Sequence, residues 1–164
     1  YNHGNQPSLH IPWLFNFSGK PYLTQKWTRL ICDEFYGTDG EHGYGYGQDE
    51  DQGQLGSWYV LAAMGLFDVQ GGACSEPTYQ LGSPEFDEIT VHLSKFNTKG
   101  GTFRIRAKGN SADAMYVQNA TFNGKPLDRC WLYRDEVFNG GELVLQMGTE
   151  PSDVWNNSEP PVSE

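Results

Sequence analysis

Asp49-Glu50-Asp51-Gln52-Gly53-Gln54-Leu55-Gly56-Ser57-Trp58-Tyr59-Val60-Leu61-Ala62-Ala63-Met64-Gly65 is the stretch on which the reading of this chain turns. From Gln54 onward it reads as a helix without a single charge. A helix that is apolar all round is expected to be buried on most sides. Such a helix belongs in a large helical core, not in an isolated pair. The three carboxylates before it repel one another, and repulsion raises the pKa of at least one unless something compensates. A helix N-terminus offers part of that compensation through its dipole and free N–H groups. Two readings follow. Asp51 or a neighbour caps the helix, or the run is an acid loop that holds a general base or a metal.

Upstream of the acids, residues 37–53 carry six glycines, with Tyr44 and Tyr46 interleaved. A loop this long without structure of its own is usually functional or disordered, and the aromatics favour the functional reading. Rings in a mobile, glycine-rich approach suit a sugar site, so Tyr44 and Tyr46 are candidates to stack on substrate. Before the loop, residues 25–36 predict a helix. Thr24 is its expected N-cap, Gly37 its expected stop, and Trp27, Leu30, Ile31 and Phe35 form its apolar stripe. Residues 7–17 predict a short buried helical element, with Pro12 awkward in its interior. Trp13 and Trp58 fall on buried elements and read as core.

Near Gly71-Gly72 the pattern changes. Short β-rich runs follow at 78–81, 88–93, 102–107, 115–122 and 142–147. Asn123-Gly124 and Asn139-Gly140-Gly141 are turn signals. The expectation is an antiparallel β unit of about five strands over 73–155. Residues 156–164 form a polar tail expected to fray.

Composition bounds the rest. The chain has 164 residues, one domain's length, and is 37% hydrophobic and 14% aromatic, which argues against disorder. Eleven Lys and Arg against 21 Asp and Glu give a net charge of −10, with no basic stripe, which argues against a nucleic-acid partner. No apolar run is long enough to span a membrane. The three cysteines, Cys32, Cys74 and Cys130, lie far apart, so no thiolate zinc pair forms. One bridge with a free thiol, or three buried thiols, both fit. Sequons at Asn16, Asn119 and Asn156 permit a eukaryotic secretory origin without showing it. The chain opens on Tyr1-Asn2-His3-Gly4, without Met or leader pattern, and reads as the middle of something longer. EF-hand, Walker A, G-x-S-x-G and H-E-x-x-H patterns are all absent. A lone His is more often structural than catalytic.

Several segments together resemble one family. Gly4-Asn5-Gln6-Pro7-Ser8-Leu9-His10-Ile11-Pro12-Trp13-Leu14-Phe15-Asn16 is similar to a GNEPSHHIPYLYN-like segment. Asp49 to Val60 is similar to its (D/N)-(E/D)-D-x-G-Q-(M/L)-x-(A/S)-W-Y-V segment. Tyr79-Gln80-Leu81-Gly82-Ser83-Pro84-Glu85-Phe86-Asp87 is similar to its Y-x-L-G-S-P-x-F-D segment. Asn123 to Leu127 and Asn139 to Leu143 fit the same C-terminal pattern. In this order they resemble glycoside hydrolase family 92, the calcium-dependent exo-acting α-mannosidases, from Tyr1 to about Trp155.

The resemblance implies an α+β chain. Residues 1–72 would be the last helices and active-site loop of an (α/α)6 barrel, and 73–155 the β unit. It implies an inverting glycosidase that removes terminal α-mannose from glycans, as in N-glycan processing. An inverting site needs a general acid and a general base on opposite faces of the sugar. It assigns the base to Asp51, with Asp49 as the weaker partner that helps hold the water and Glu50 pointing elsewhere. Gln54 joins Tyr44 and Tyr46 as substrate-binding. The general acid belongs to an upstream segment that this chain lacks. The remaining part of the same enzyme is therefore an expected partner, and the isolated segment is expected to be inactive. Calcium is the implied cofactor. Asn5 and Gln6 would contribute to it, although the family's Asn-Glu pair has become Asn-Gln here and one negative charge is lost. A secreted, extracellular or periplasmic location follows. The alternative is a carbohydrate-binding or structural β module, which leaves the motifs before Gly72 unexplained.

Overall fold

A computed structural model describes residues 1–37, 53–96 and 98–161. The chain opens with two 3-10 stretches, Gln6–Ser8 and Ile11–Ser18, each with proline in its first turn. The expected single helix over 7–17 is therefore two tighter pieces, because Pro7 and Pro12 each suit a first turn and not an interior. Gly19 closes the second piece in the left-handed region.

Helix α1 spans Pro21–Phe35 and begins earlier than its expected cap. Pro21 takes the N1 position, where its missing N–H costs nothing. Thr24 lies inside the helix, fully buried. The face turned inward also differs from the stripe the sequence suggested. It is built from Thr24, Gln25, Thr28, Arg29, Ile31 and Cys32, while Trp27 is 44% exposed. Part of that polar face finds partners in the β half, although Thr24 Oγ1 and Arg29 Nε have none among the described residues. Gln25 Oε1 accepts from the Val117 amide at 2.9 Å. Arg29 donates to Ser83 Oγ at 3.2 Å, to Asn110 Oδ1 at 2.6 Å and to the Pro84 carbonyl. Trp27, Leu30 and Phe35, with the edge of the buried Ile31, line an open apolar groove of about 390 Å³ with Ile11 and Phe15.

Helix α2 spans Gln54–Ala63. Gly53 enters it at φ 86° and Gly65 leaves it at φ 73°, conformations that favour glycine. Leu55, Trp58, Ala62 and Ala63 face inward, but Gln54, Gly56, Ser57 and Val60 are exposed, so the helix is covered on one side only. The expectation of burial on most sides is not met among the described residues.

Among the described residues, eight strands follow in two sheets. The smaller has the order β1 (Leu66–Phe67), β2 (Thr78–Leu81), β7 (Trp131–Tyr133), all antiparallel. The larger has the order β3 (Glu88–Leu93), β4 (Gly101–Lys108), β8 (Gly141–Gly148), β5 (Tyr116–Phe122), β6 (Lys125–Pro126). Five strands in one sheet match the expected number, but membership and direction differ. The 78–81 run joins the smaller sheet, and β8 runs parallel to β4, so the unit is mixed. The chain makes the β5–β6 hairpin at Asn123-Gly124. It then crosses to β7 and the short helix α3 (Arg134–Phe138), and returns between β4 and β5. Only a return of that length places a strand parallel to an earlier one. Alternation does the rest. Phe103, Ile105 and Ala107 of β4 and Leu143, Leu145 and Met147 of β8 turn into one core with Val117, Leu132 and Trp155. A second core holds Leu9, Trp13, Ile31, Cys32, Leu55 and Trp58.

Three features lock the layers. Asn16, 3% exposed, donates its amide to Gln80 Oε1 at 3.2 Å and to the carbonyls of Leu81 and Cys130 at 3.0 and 3.2 Å. This sequon is sealed in the fold, whereas Asn119 is exposed. The tail is tied as well. Ser158 Oγ accepts from the Cys130 amide at 3.1 Å, and the Glu159 carbonyl accepts from Trp131 Nε1 at 2.8 Å. All three cysteines are free, and only Cys32 and Cys130 are buried, so neither expected arrangement is met in full.

The third lock has a pH signature. Tyr59 of α2 donates to Glu85 Oε2 at 3.1 Å. Burial, then the Glu85 carboxylate, pushes this phenol up to about 12. The same causes, in the same order, push the Cys32 thiol up. The unfolded chain releases these protons at lower pH than the folded chain does. Stability is therefore full below the unfolded values and falls as pH rises through the window from the ordinary thiol value toward 12. Urea titrations at pH 8, 10 and 11 are expected to show that fall, with a shallower slope in Glu85→Gln. Equal slopes in the two proteins would refute the assignment.

Candidate functional site

The acidic run and its approach, including Asp49, Glu50, Asp51, Tyr44 and Tyr46, lie outside the described residues. The structure does describe what flanks them. Gly53 sits at the entry to α2, and Gln54, the first residue of the helix, is exposed. The N–H groups of a first helical turn point along the axis and favour a nearby anion. Ser57 Oγ donates to the Gly53 carbonyl at 2.6 Å, fixing the entry angle.

Asn5 and Gln6 sit on a tight turn at the other side. The Asn5 amide donates to the Asn2 carbonyl at 3.2 Å, the Ser8 amide to the Asn5 carbonyl at 2.8 Å, and the Leu9 amide to the Gln6 carbonyl at 3.1 Å. Asn5 is exposed and Gln6 half-buried. Their side-chain oxygens are hard donors of the kind calcium takes. Both are neutral, however, and no group of three His, Cys, Asp or Glu that could hold a metal occurs among the described residues. As donors the two amide oxygens suit a hard cation, but they carry none of the negative charge that a calcium site needs.

Two contacts bring this turn to the start of α2. His3, fully buried, has Nδ1 2.7 Å from the Tyr1 hydroxyl and Nε2 2.6 Å from the Tyr36 hydroxyl. Tyr36 in turn donates to the Leu55 carbonyl at 3.0 Å, in the first turn of α2. Burial pushes the His3 imidazole down to about 4, so it is neutral over the ordinary range. On the far side of the turn, Trp58 Nε1 donates to the Leu9 carbonyl at 2.9 Å. The rings stack into one block. Tyr36 lies parallel to Trp58 at 5.9 Å, and His3 stands edge-on to Trp58 at 4.3 Å. Sequence reasoning missed His3 and Tyr36. Their only signal was position, His3 two residues before Asn5 and Tyr36 at the end of a helix.

Comparison with known proteins matches this frame. The profile of the glycosyl hydrolase family 92 catalytic domain matches residues 1–149. A family GH92 alpha-mannosidase from Bacteroides thetaiotaomicron superposes with a TM-score of 0.85 at 32% identity, covering 98% of this chain and 21% of that one. A family GH92 inverting mannosidase from the same organism gives 0.82 at 37% identity, with the same coverage. A protein from Arthroderma benhamiae, described as an uncharacterized secreted glycosidase, is 31% identical over 96% of this chain and 20% of its own length. The chain thus spans about a fifth of the length of these relatives.

Proposed function

Because the chain belongs to glycosyl hydrolase family 92, we propose that it is the part of an inverting exo-α-mannosidase that supplies the general base, the remainder being supplied by other segments of the same enzyme. The observation that carries this reading is the family match over residues 1–149, joined by mannosidases among the similar structures. Two surfaces support a larger body around this chain. Among the described residues, the groove beside α1 is open and apolar, and Val60 on the outward face of α2 is 58% exposed.

In the proposed reaction, Asp51 takes a proton from water as that water attacks the anomeric carbon. An acid elsewhere in the enzyme protonates the departing glycosidic oxygen. Asp49 orients the same water. Gln54, the first residue of α2, and the rings of Tyr44 and Tyr46 hold the sugar. Calcium, when bound with Asn5 and Gln6 among its ligands, supplies a positive charge that orients the sugar hydroxyls. The secreted relative supports an exported location.

Proton NMR of the first turnovers on an aryl α-mannoside, with the enzyme that contains this chain, tests the reading. β-Mannose is expected as the first anomer formed, and α-mannose first would overturn it.

A further inference from the structure

We infer that His3 is a positioning residue of the proposed site, one half of a bracket that fixes the Asn5–Gln6 turn against the first turn of α2. The inference rests on the mannosidase reading for its consequence, but the bracket itself is read from geometry.

A backbone carbonyl can only accept, so the Tyr36 hydroxyl proton goes to Leu55. The Tyr36 oxygen then accepts from His3, which places the imidazole proton on Nε2. Nδ1 is left to accept from the Tyr1 hydroxyl. One tautomer of a neutral ring satisfies every one of these bonds. The ring is fully buried and wedged edge-on against Trp58, so it has one orientation available. Trp58 also donates to Leu9. The chain between His3 and Leu9, which contains Asn5 and Gln6, is thus pinned at both ends to the same helix. That helix begins three residues after Asp51. His3 therefore fixes the turn that carries the two amides relative to the first turn of α2. Groups held through a buried hydrogen-bonded support keep the geometry that chemistry needs.

Tyr36→Phe removes the link while keeping the ring stacked on Trp58, and His3→Phe removes it from the other end. In the enzyme that contains this chain, each is expected to lower kcat on an α-mannoside by roughly 10–100-fold, the range for partners that orient ligands. KM should stay within about threefold, since substrate contacts are untouched. The double variant should be no worse than the weaker single, because both cut one chain of bonds. Hydrogen exchange at the amides of residues 4, 5, 6 and 8 should quicken in both variants, whatever the turnover. Unchanged exchange there overturns the bracket. So does intact kcat in variants whose only defect is a lower melting temperature. Asp51→Asn separates the two ideas. If it keeps full activity the base assignment fails, while the exchange experiment still decides the bracket.

Discussion

Asp51→Asn is expected to cost the enzyme about 10²–10⁴-fold in kcat, the usual contribution of a positioned general base. The substitution is nearly isosteric, so substrate binding and KM should change little. What it removes is the ability to take a proton from water. An amide oxygen is too weak a base to do so, and the attack must then proceed on neutral water. Asp49→Asn is expected to cost less, because that residue orients the nucleophile without accepting its proton. Glu50→Gln should cost least of the three. This ranking is the informative part. If Glu50→Gln proves the most damaging, the acid run presents its carboxylates the other way round and the base is misassigned. The measurement is steady-state hydrolysis of an aryl α-mannoside, with circular dichroism as the check on folding.

Trp13→Ala is expected to be the most destabilising single change in the helical half, at about 3–5 kcal/mol for a fully buried large ring. The indole is 0% exposed and stacks on Phe67 at 5.3 Å with planes 13° apart. It also meets the backbone at Gly82. A β-carbon built there would lie 2.9 Å from Cζ3 and 3.1 Å from Cη2. Those are ring atoms, not the end of a flexible chain, so they cannot step aside. Gly82→Ala should therefore cost about 1–3 kcal/mol by overpacking. The pair gives a sharper test than either alone. Trimming the indole to a smaller ring in Trp13→Phe opens space where the alanine methyl goes. The double variant should then lose less than the sum of the two single losses, and strict additivity in urea denaturation would refute the contact as the cause.

Much of this organisation was legible in the sequence. The strand runs at 78–81 and 88–93 fall on β2 and β3 as observed, and Trp13 and Trp58 are core. Alternation carries that information locally. What failed to show was whatever depends on partners far along the chain. The inward face of α1 is polar because Val117, Ser83 and Asn110 receive Gln25 and Arg29, and no periodicity of the helix alone records that. The parallel placement of β8 is set by where the chain returns after α3. His3 reads like any lone histidine until the fold brings Tyr36 and Leu55 beside it. Asn5, Gln6 and Gln54 took their proposed roles from family resemblance. Spacing alone offered no reason to choose them.

The amide of Asn16 also sets a timetable. Its acceptors at residues 80, 81 and 130 lie 64, 65 and 114 positions further along. On a ribosome that adds roughly 5–20 residues per second, the last of them emerges on the order of ten seconds after Asn16 itself. Until then the N-terminal helices must wait with this group open to its surroundings. In a secretory compartment the wait exposes Asn16-Phe17-Ser18 to the machinery that attaches glycans to asparagine. A sugar placed on that nitrogen would block all three bonds at once. Only once β7 has docked is the joint between the two halves of the chain closed to that machinery.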